Sequence, residues 1–245
     1  MSLWHKAPDD VLMIGLSSGS WAQVIASHPK LRKLTVVEIN PGYLDLIARY
    51  PKVASVLHNS KVEIDIDDGR RWLIRNTEPK FDAIIMNTTF NWRAHATNLL
   101  SVEFLVIAKR HLKSGGVLFY NTTGSGEVQL TGLTVFRYGM MVENCLAVSD
   151  SPIKIDKDRW REVLMAYRID GVPVLHPDRY SDQRRLDELL SLPVDQPEKW
   201  ESLQDADYVR QRNIGKRLVT DDNMGTEWVS GDSRRYSGLW HSFLD

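Results

Sequence analysis

The chain has 245 residues, with 31 Lys plus Arg against 32 Asp plus Glu, a formal net charge of -1 and 42% hydrophobic residues. Nearly balanced charge excludes the basic footprint of a nucleic-acid binder or a membrane-surface protein, and the apolar content suffices for the core of one large α/β domain. Cys145 is the single cysteine, which excludes an internal disulfide and a cysteine-held metal cluster and fits a reducing compartment.

Short apolar runs at 11–15, 34–38, 61–66, 81–87 and 116–121 alternate with helical patterns near 20–28, 43–49, 69–76 and 100–112. This alternation predicts a parallel, doubly wound sheet. Pro41 precedes one helix, Pro51 follows it, and Ser114-Gly-Gly116 ends the fourth, positions where those residues are tolerated or preferred. Two shorter runs, Thr134–Tyr138 and Glu143–Ser149, separated by Gly139, are expected to be the last two strands, antiparallel to each other. Beyond Ser151 the sequence turns polar, with helical candidates at Trp160–Tyr167, Asp182–Leu192 and Asp205–Leu218. The expected fold is therefore a Rossmann-like, doubly wound α/β sheet of seven strands, with residues 1–150 as a nucleoside-binding domain and 151–245 as a helical C-terminal extension packed on it. No internal repeat, heptad or low-complexity tract is present.

The first strand runs into Gly15-Leu-Ser-Ser-Gly19 and then a helix, and Glu38 closes the second strand. Gly15 and Gly19 permit a sharp turn and a close backbone approach to a ligand, and unpaired helix N–H groups begin near Ser20. The distance from turn to acid is that of a nucleotide-binding β-α-β unit, about 20 residues, which assigns Glu38 to ribose hydroxyls. In open α/β sheets ligands bind beyond the carboxyl ends of the strands. The other residues at those ends are Asn40, Asp67 and Asp68, the segment Asn87-Thr-Thr-Phe-Asn-Trp-Arg93 with His95, and Asn121–Gly124. One of Asp67 and Asp68 can cap the helix that follows while the other accepts the adenine amino group. Two acids at successive strand ends, beside a turn lacking the Gly-x-x-x-x-Gly-Lys-Ser/Thr pattern, favour a nucleoside over a triphosphate.

These residues resemble the polyamine aminopropyltransferases, or spermidine synthase-like proteins, within the S-adenosylmethionine-dependent class I methyltransferase fold. The resemblance spans about residues 8–150 and rests on Val11–Gly15 with its turn, Val36-Val-Glu-Ile-Asn-Pro41, Asp67-Asp-Gly-Arg70, Phe81–Asn87, and Asn98–Phe104 before Leu112–Val117. It implies S-adenosylmethionine or its decarboxylated form as cofactor, with Gly15, Ser17, Ser18 and Gly19 beside the methionine-derived tail, Glu38 on the ribose, and Asp67, Asp68 and Asn87 completing the cofactor site. Val219-Thr-Asp-Asp-Asn223 and Glu227 are similar to a late segment of bacterial members. The chain departs from the pattern at three places where the resemblance implies carboxylates: Asn87, Phe90 and Ser18. It also lacks the family's N-terminal β-domain. An amide cannot act as a general base. The catalytic candidates are Asn87, at the position of the family's acid, His95 as the base on the acceptor loop, and Asp221, which with Asp222 could return negative charge if the tail folds over the site; Thr88, Trp92 and Arg93 suit a neutral or anionic small acceptor.

Three functions stay open: aminopropyl transfer, as in polyamine biosynthesis; methyl transfer; and a noncatalytic nucleoside-binding domain derived from the same family. No His/Asp/Glu set has metal-ligand spacing, so no metal is expected. His28, His111 and Glu127 receive only solvated or capping roles, and the pairs Arg70-Arg71, Arg184-Arg185 and Arg234-Arg235 are read as solvated faces. No stretch approaches the roughly 18 apolar residues of a membrane span, and Met1–Lys6 lacks a signal-peptide pattern. The expected location is cytoplasmic. A first strand so near the N-terminus also fits the soluble domain of a longer, membrane-anchored protein. A homodimer is left open.

Overall fold

Strands buried on both faces must lie inside a sheet covered on both sides. Val11–Met13, Val36, Val37 and Ala83–Met86 are all buried, which places the first, second and fourth strands at its centre. The computed structural model describes residues 5, 7–78, 80–87, 96–194, 196 and 203–224. In chain order it runs β1 (Asp10–Ile14), α1 (Ser20–Ala26), β2 (Lys33–Glu38), α2 (Gly42–Ala48), α3 (Pro51–Ala54), β3 (Val62–Ile66), α4 (Gly69–Arg75), β4 (Phe81–Met86) and α5 (Val102–Arg110). There follow β5 (Leu112–Asn121), α6 (Gly126–Val135), β6 (Tyr138–Val142), β7 (Cys145–Ser149), α7 (Lys157–Ala166), β8 (Arg168–Ile169), β9 (Val172–Pro173), α8 (Tyr180–Ser191), β10 (Leu203–Asp205) and α9 (Ala206–Arg212).

Among the described residues the main sheet has the order β10-β6-β7-β5-β4-β1-β2-β3. Strands β1 to β5 pair in parallel, and β7, β6 and β10 add on as antiparallel neighbours. Winding reverses at β1, which lies between β2 and β4, so the crevice for a ligand opens above its carboxyl end. One face is covered by α4, α5, α6 and α9 through Trp72, Leu73, Phe104, Leu105, Leu133 and Val209. The other is covered by α1 and α2 through Ala22, Ile25, Ala26 and Ile47.

The α/β class and the antiparallel final hairpin follow the pattern of the sequence, but several details differ. Thr134 and Val135 end α6 instead of opening a strand. Ser125 caps that helix by accepting from the Val128 N–H at 3.4 Å, and the Thr131 and Thr134 hydroxyls donate back to the Glu127 and Leu130 carbonyls. Burial of Val128 and Leu133 outweighs the β preference of these branched residues. Gly139 is not a break but a residue of β6, where an added Cβ would stand 2.4 Å from Leu133 Cδ2. The sheet also exceeds seven strands, because Leu203–Asp205 from the C-terminal extension pairs with Met140–Val142. Three residues with no apolar alternation carry no strand signal of their own. Strand β5 begins at Leu112, with a register shift opposite Phe81 and Ala83 that absorbs Ser114–Gly116. No helix among the described residues is long and apolar enough to cross a membrane.

His28, read from the sequence as solvated or capping, is 1% exposed. Its Nδ1 accepts from the Lys30 N–H at 3.2 Å, and its ring meets Tyr167 edge-on at 5.7 Å. Burial holds its pKa down at about 4. The unfolded chain binds a proton at this ring near pH 6.5 while the folded chain does not, so His28 costs stability as pH falls from about 6.5 to about 4. Urea unfolding at pH 7 and pH 4 tests this: the wild type should lose about 3 kcal/mol more than His28→Phe over that interval.

Candidate functional site

The loop after β1 is shaped by three left-handed residues, Gly15 (φ +91°), Ser17 (φ +49°) and Gly19 (φ +79°), two of them glycines, for which this conformation carries no Cβ penalty. Leu16 anchors the loop in the core, while Ser17 and Ser18 face solvent, with the hydroxyls of Ser18 and Ser20 2.7 Å apart. Glu38 lies beneath, 3% exposed. Its Oε2 accepts the Leu16 N–H at 2.5 Å and the Ser17 N–H at 3.4 Å, and its Oε1 accepts the Asn40 N–H at 2.8 Å. The carboxylate thus satisfies backbone donors on both sides of the crevice. Oε2 thereby uses both of its lone pairs, and Oε1 keeps one.

The Asp67 N–H donates to the Glu38 carbonyl at 3.1 Å, tying the end of β3 to that of β2. Asp68 caps α4, accepting from the Arg71 N–H at 2.8 Å. Asp67 is bound by Arg71 Nε at 2.6 Å and by Arg75. Burial pushes the Asp67 carboxyl up, but the hydrogen bonds and charge of Arg71, the Asp68 N–H and Arg75 outweigh it and hold the group below the usual range. Ile39, 69% exposed directly after Glu38, offers an apolar surface at the mouth. Sequence reasoning passed over it, since only an exposed isoleucine at this edge distinguishes it from a core residue.

On the other side of β1, the ends of β4 and β5 carry amides. Asn121 Nδ2 donates to Asn87 Oδ1 at 3.5 Å, and Asn121 Oδ1 accepts the Thr123 N–H at 2.8 Å. Thr88, Phe90, Trp92, Arg93, His95 and Glu227 lie outside the described residues. Asp221 does return to this edge of the sheet, where it is engaged rather than free. Its carboxylate receives both prongs of Arg70, one at 2.7 Å, and the Ser101 hydroxyl at 2.6 Å. The Arg70 hydrogen bonds, together with Ser101, hold it below the usual carboxylate range against the opposing effect of burial. Of the pair read as a solvated face, Arg70 is half-buried against Asp221, while Arg71 stays exposed as it reaches Asp67. Asp222 is exposed.

A groove of about 840 Å³ between α6, β6 and α9 lies at the opposite edge of the sheet. Within it Lys109 pairs with Asp150, and Arg210 is held by Asp207 and the carbonyls of Leu133, Phe136 and Arg137. Among the described residues no group of three or more His, Cys, Asp or Glu side chains is placed to hold a metal ion.

Glu38→Gln replaces one acceptor oxygen by a donor facing backbone N–H groups, so it should cost about 1–3 kcal/mol in chemical denaturation.

Residues 2–133 match the family model described as the spermine/spermidine synthase domain. A polyamine aminopropyltransferase of Streptococcus uberis is 34% identical over 117 residues, 47% of this chain and 40% of that protein. The match thus spans less than half the length of that relative. Another, from Moorella thermoacetica, is 25% identical over 213 residues, 78% of this chain and 74% of the relative. A spermidine synthase solved in complex with the transition-state analogue AdoDATO superimposes with a TM-score of 0.59 at 20% identity, covering 77% of this chain and 72% of the other. Human methyltransferase-like protein 13 in complex with SAH gives 0.51 at 18% identity, covering 79% and 85%. These structures share the class I methyltransferase-like fold, and the match over more than half of its residues shows that the chain belongs to the spermine/spermidine synthase family.

Proposed function

We propose that the chain binds S-adenosylmethionine or its decarboxylated form across the ends of β1, β2 and β3, and transfers a methyl or aminopropyl group to a small acceptor at the ends of β4 and β5. The observation that carries this reading is the buried Glu38 carboxylate, set beneath the Gly15–Gly19 loop at the point where the winding of the sheet reverses. In this reading the remaining lone pair on Oε1 accepts a ribose hydroxyl, Ile39 covers one face of the base, and Asp67 and Asp68 bound the adenine edge. Gly15, Ser17, Ser18 and Gly19 border the sulfonium tail.

The reaction is an in-line displacement at a carbon bonded to sulfonium. The sulfur leaves as a neutral thioether and the nucleophile gives up one proton. Positive charge at sulfur disperses in the transition state, so the protein contributes mainly by aligning nucleophile and carbon and by excluding water. The proton is the harder problem. Asn87 and Asn121 are amides, and Asp221 is held by Arg70 and Ser101. We assign proton acceptance to His95 and the acceptor wall to Thr88, Trp92 and Arg93, from their sequence positions after Asn87. Such a set favours a neutral or anionic acceptor over a diamine, whose ammonium groups need carboxylate partners.

The same pair of amides supports a second reading, a nucleoside-binding domain without turnover. Calorimetry with S-adenosylmethionine, its decarboxylated form and methylthioadenosine, followed by a turnover screen over amines and other small nucleophiles, separates the two. Binding that is lost in Glu38→Ala, together with turnover, supports the transferase. Binding without turnover on any acceptor supports the second reading, and no binding of any of the three ligands defeats both. Asn87→Asp supplies a carboxylate at the acceptor side. If the ancestral reaction is aminopropyl transfer, it should raise diamine turnover by about 100-fold, the usual contribution of a positioned base.

A further inference from the structure

The C-terminal segment 217–224 crosses the amino ends of three helices in succession. Arg217 approaches Glu127 of α6 at 3.5 Å, and the Val219 N–H donates to the Thr131 hydroxyl at 2.8 Å. The Val219 carbonyl accepts the Val102 N–H at the start of α5 at 2.9 Å, and the Val219 side chain, 1% exposed, joins the core beneath. The Asp221 N–H then donates to Glu103 at 3.0 Å, while its carboxylate takes Ser101, the cap of α5, and Arg70 near the start of α4. Arg70 also donates to the Asn98 carbonyl at 3.3 Å. One carboxylate therefore joins the tail, the segment preceding α5, and α4.

The start of α4 is tightly set against β1. A Cβ on Gly69 would stand 2.5 Å from Ile14 Cγ2, so the helix begins in direct contact with the last residue before Gly15. Asp68, the cap, and Arg70 flank that contact on either side. A pull on Arg70 is thus transmitted over one residue to the junction between Asp68 and the Gly15 loop.

We propose that Asp221 is a positioning residue: through Arg70 it holds the start of α4 against Ile14 and sets the separation between Asp68 and the Gly15–Gly19 loop across which the adenosine lies. This rests on the nucleoside reading above. It assigns the returning tail a part in cofactor binding, in place of the catalytic part the sequence suggests for Asp221. The two-pronged contact matters because a guanidinium held at both nitrogens cannot rotate about a single bond.

The test is methylthioadenosine affinity by calorimetry at a temperature where circular dichroism shows each variant fully folded. Asp221→Asn, which retains the volume and one acceptor, should bind about tenfold more weakly than the wild type. Arg70→Lys, which keeps the charge without the fork, should lose affinity in the same direction. A purely structural ion pair would lower the melting temperature and leave the affinity of the folded protein unchanged. Wild-type affinity in a folded Asp221→Asn overturns the inference while leaving the nucleoside reading intact. If Asp221→Asn does not fold, Arg70→Lys reads the same coupling. A wild type that binds no adenosine ligand overturns both the reading and the inference.

Discussion

Backbone N–H groups at a sharp turn must find acceptors or pay for desolvation, and here a single buried carboxylate supplies them. Glu38 accepts from Leu16 and Ser17 on one side and from Asn40 on the other, so the loop after β1 and the turn after β2 share one anchor. The Glu38 carbonyl meanwhile receives the Asp67 N–H, bringing the end of β3 into the same arrangement. Three adjacent strands thereby end in a common, rigid rim. A ligand meeting this rim finds a surface organised before it arrives, which reduces the ordering cost of binding.

The two cores flanking the sheet differ in what holds their helices. On the α1–α2 face the packing is largely apolar and local in sequence. On the opposite face the amino ends of α4, α5 and α6 are joined by a segment more than a hundred residues downstream of the first of them, through Asp221, Val219 and their partners. Strand β10 and helix α9 belong to the same returning chain, so the C-terminal extension completes both the sheet edge and this core. Helix starts far apart in sequence are thus held by one late segment.

Charge is distributed unevenly along the strand ends. Acids gather at the ends of β2 and β3, where they serve as acceptors for backbone or are matched by Arg71 and Arg75, whereas β4 and β5 end in amides. An adenosine, rich in hydroxyl and amino donors, suits the first half. The second half offers hydrogen bonds without net charge, which is poor for a doubly charged amine and adequate for a neutral nucleophile. Family membership alone does not decide between these acceptors, because one fold hosts many reactions.

Much of this was legible in the residues themselves. The apolar runs at Val11–Ile14, Leu34–Val37 and Ala83–Met86, alternating with helical patterns, read as buried parallel strands, and the glycine turn with Glu38 at the next strand end pointed to the switch point of the sheet. Those signals are local: periodicity, backbone freedom and the order of strand and turn. What the tertiary structure decided involves partners distant in sequence. Thr134 and Val135 became helix because Leu133 needed the face of Gly139, and Leu203–Asp205 became strand because β6 had an open edge. His28 was buried by packing against Tyr167. Asp221, which the sequence offers as a spare carboxylate, was claimed by an arginine 151 residues away. Burial and ion pairing depend on which groups meet in space, and no window along the chain contains that information.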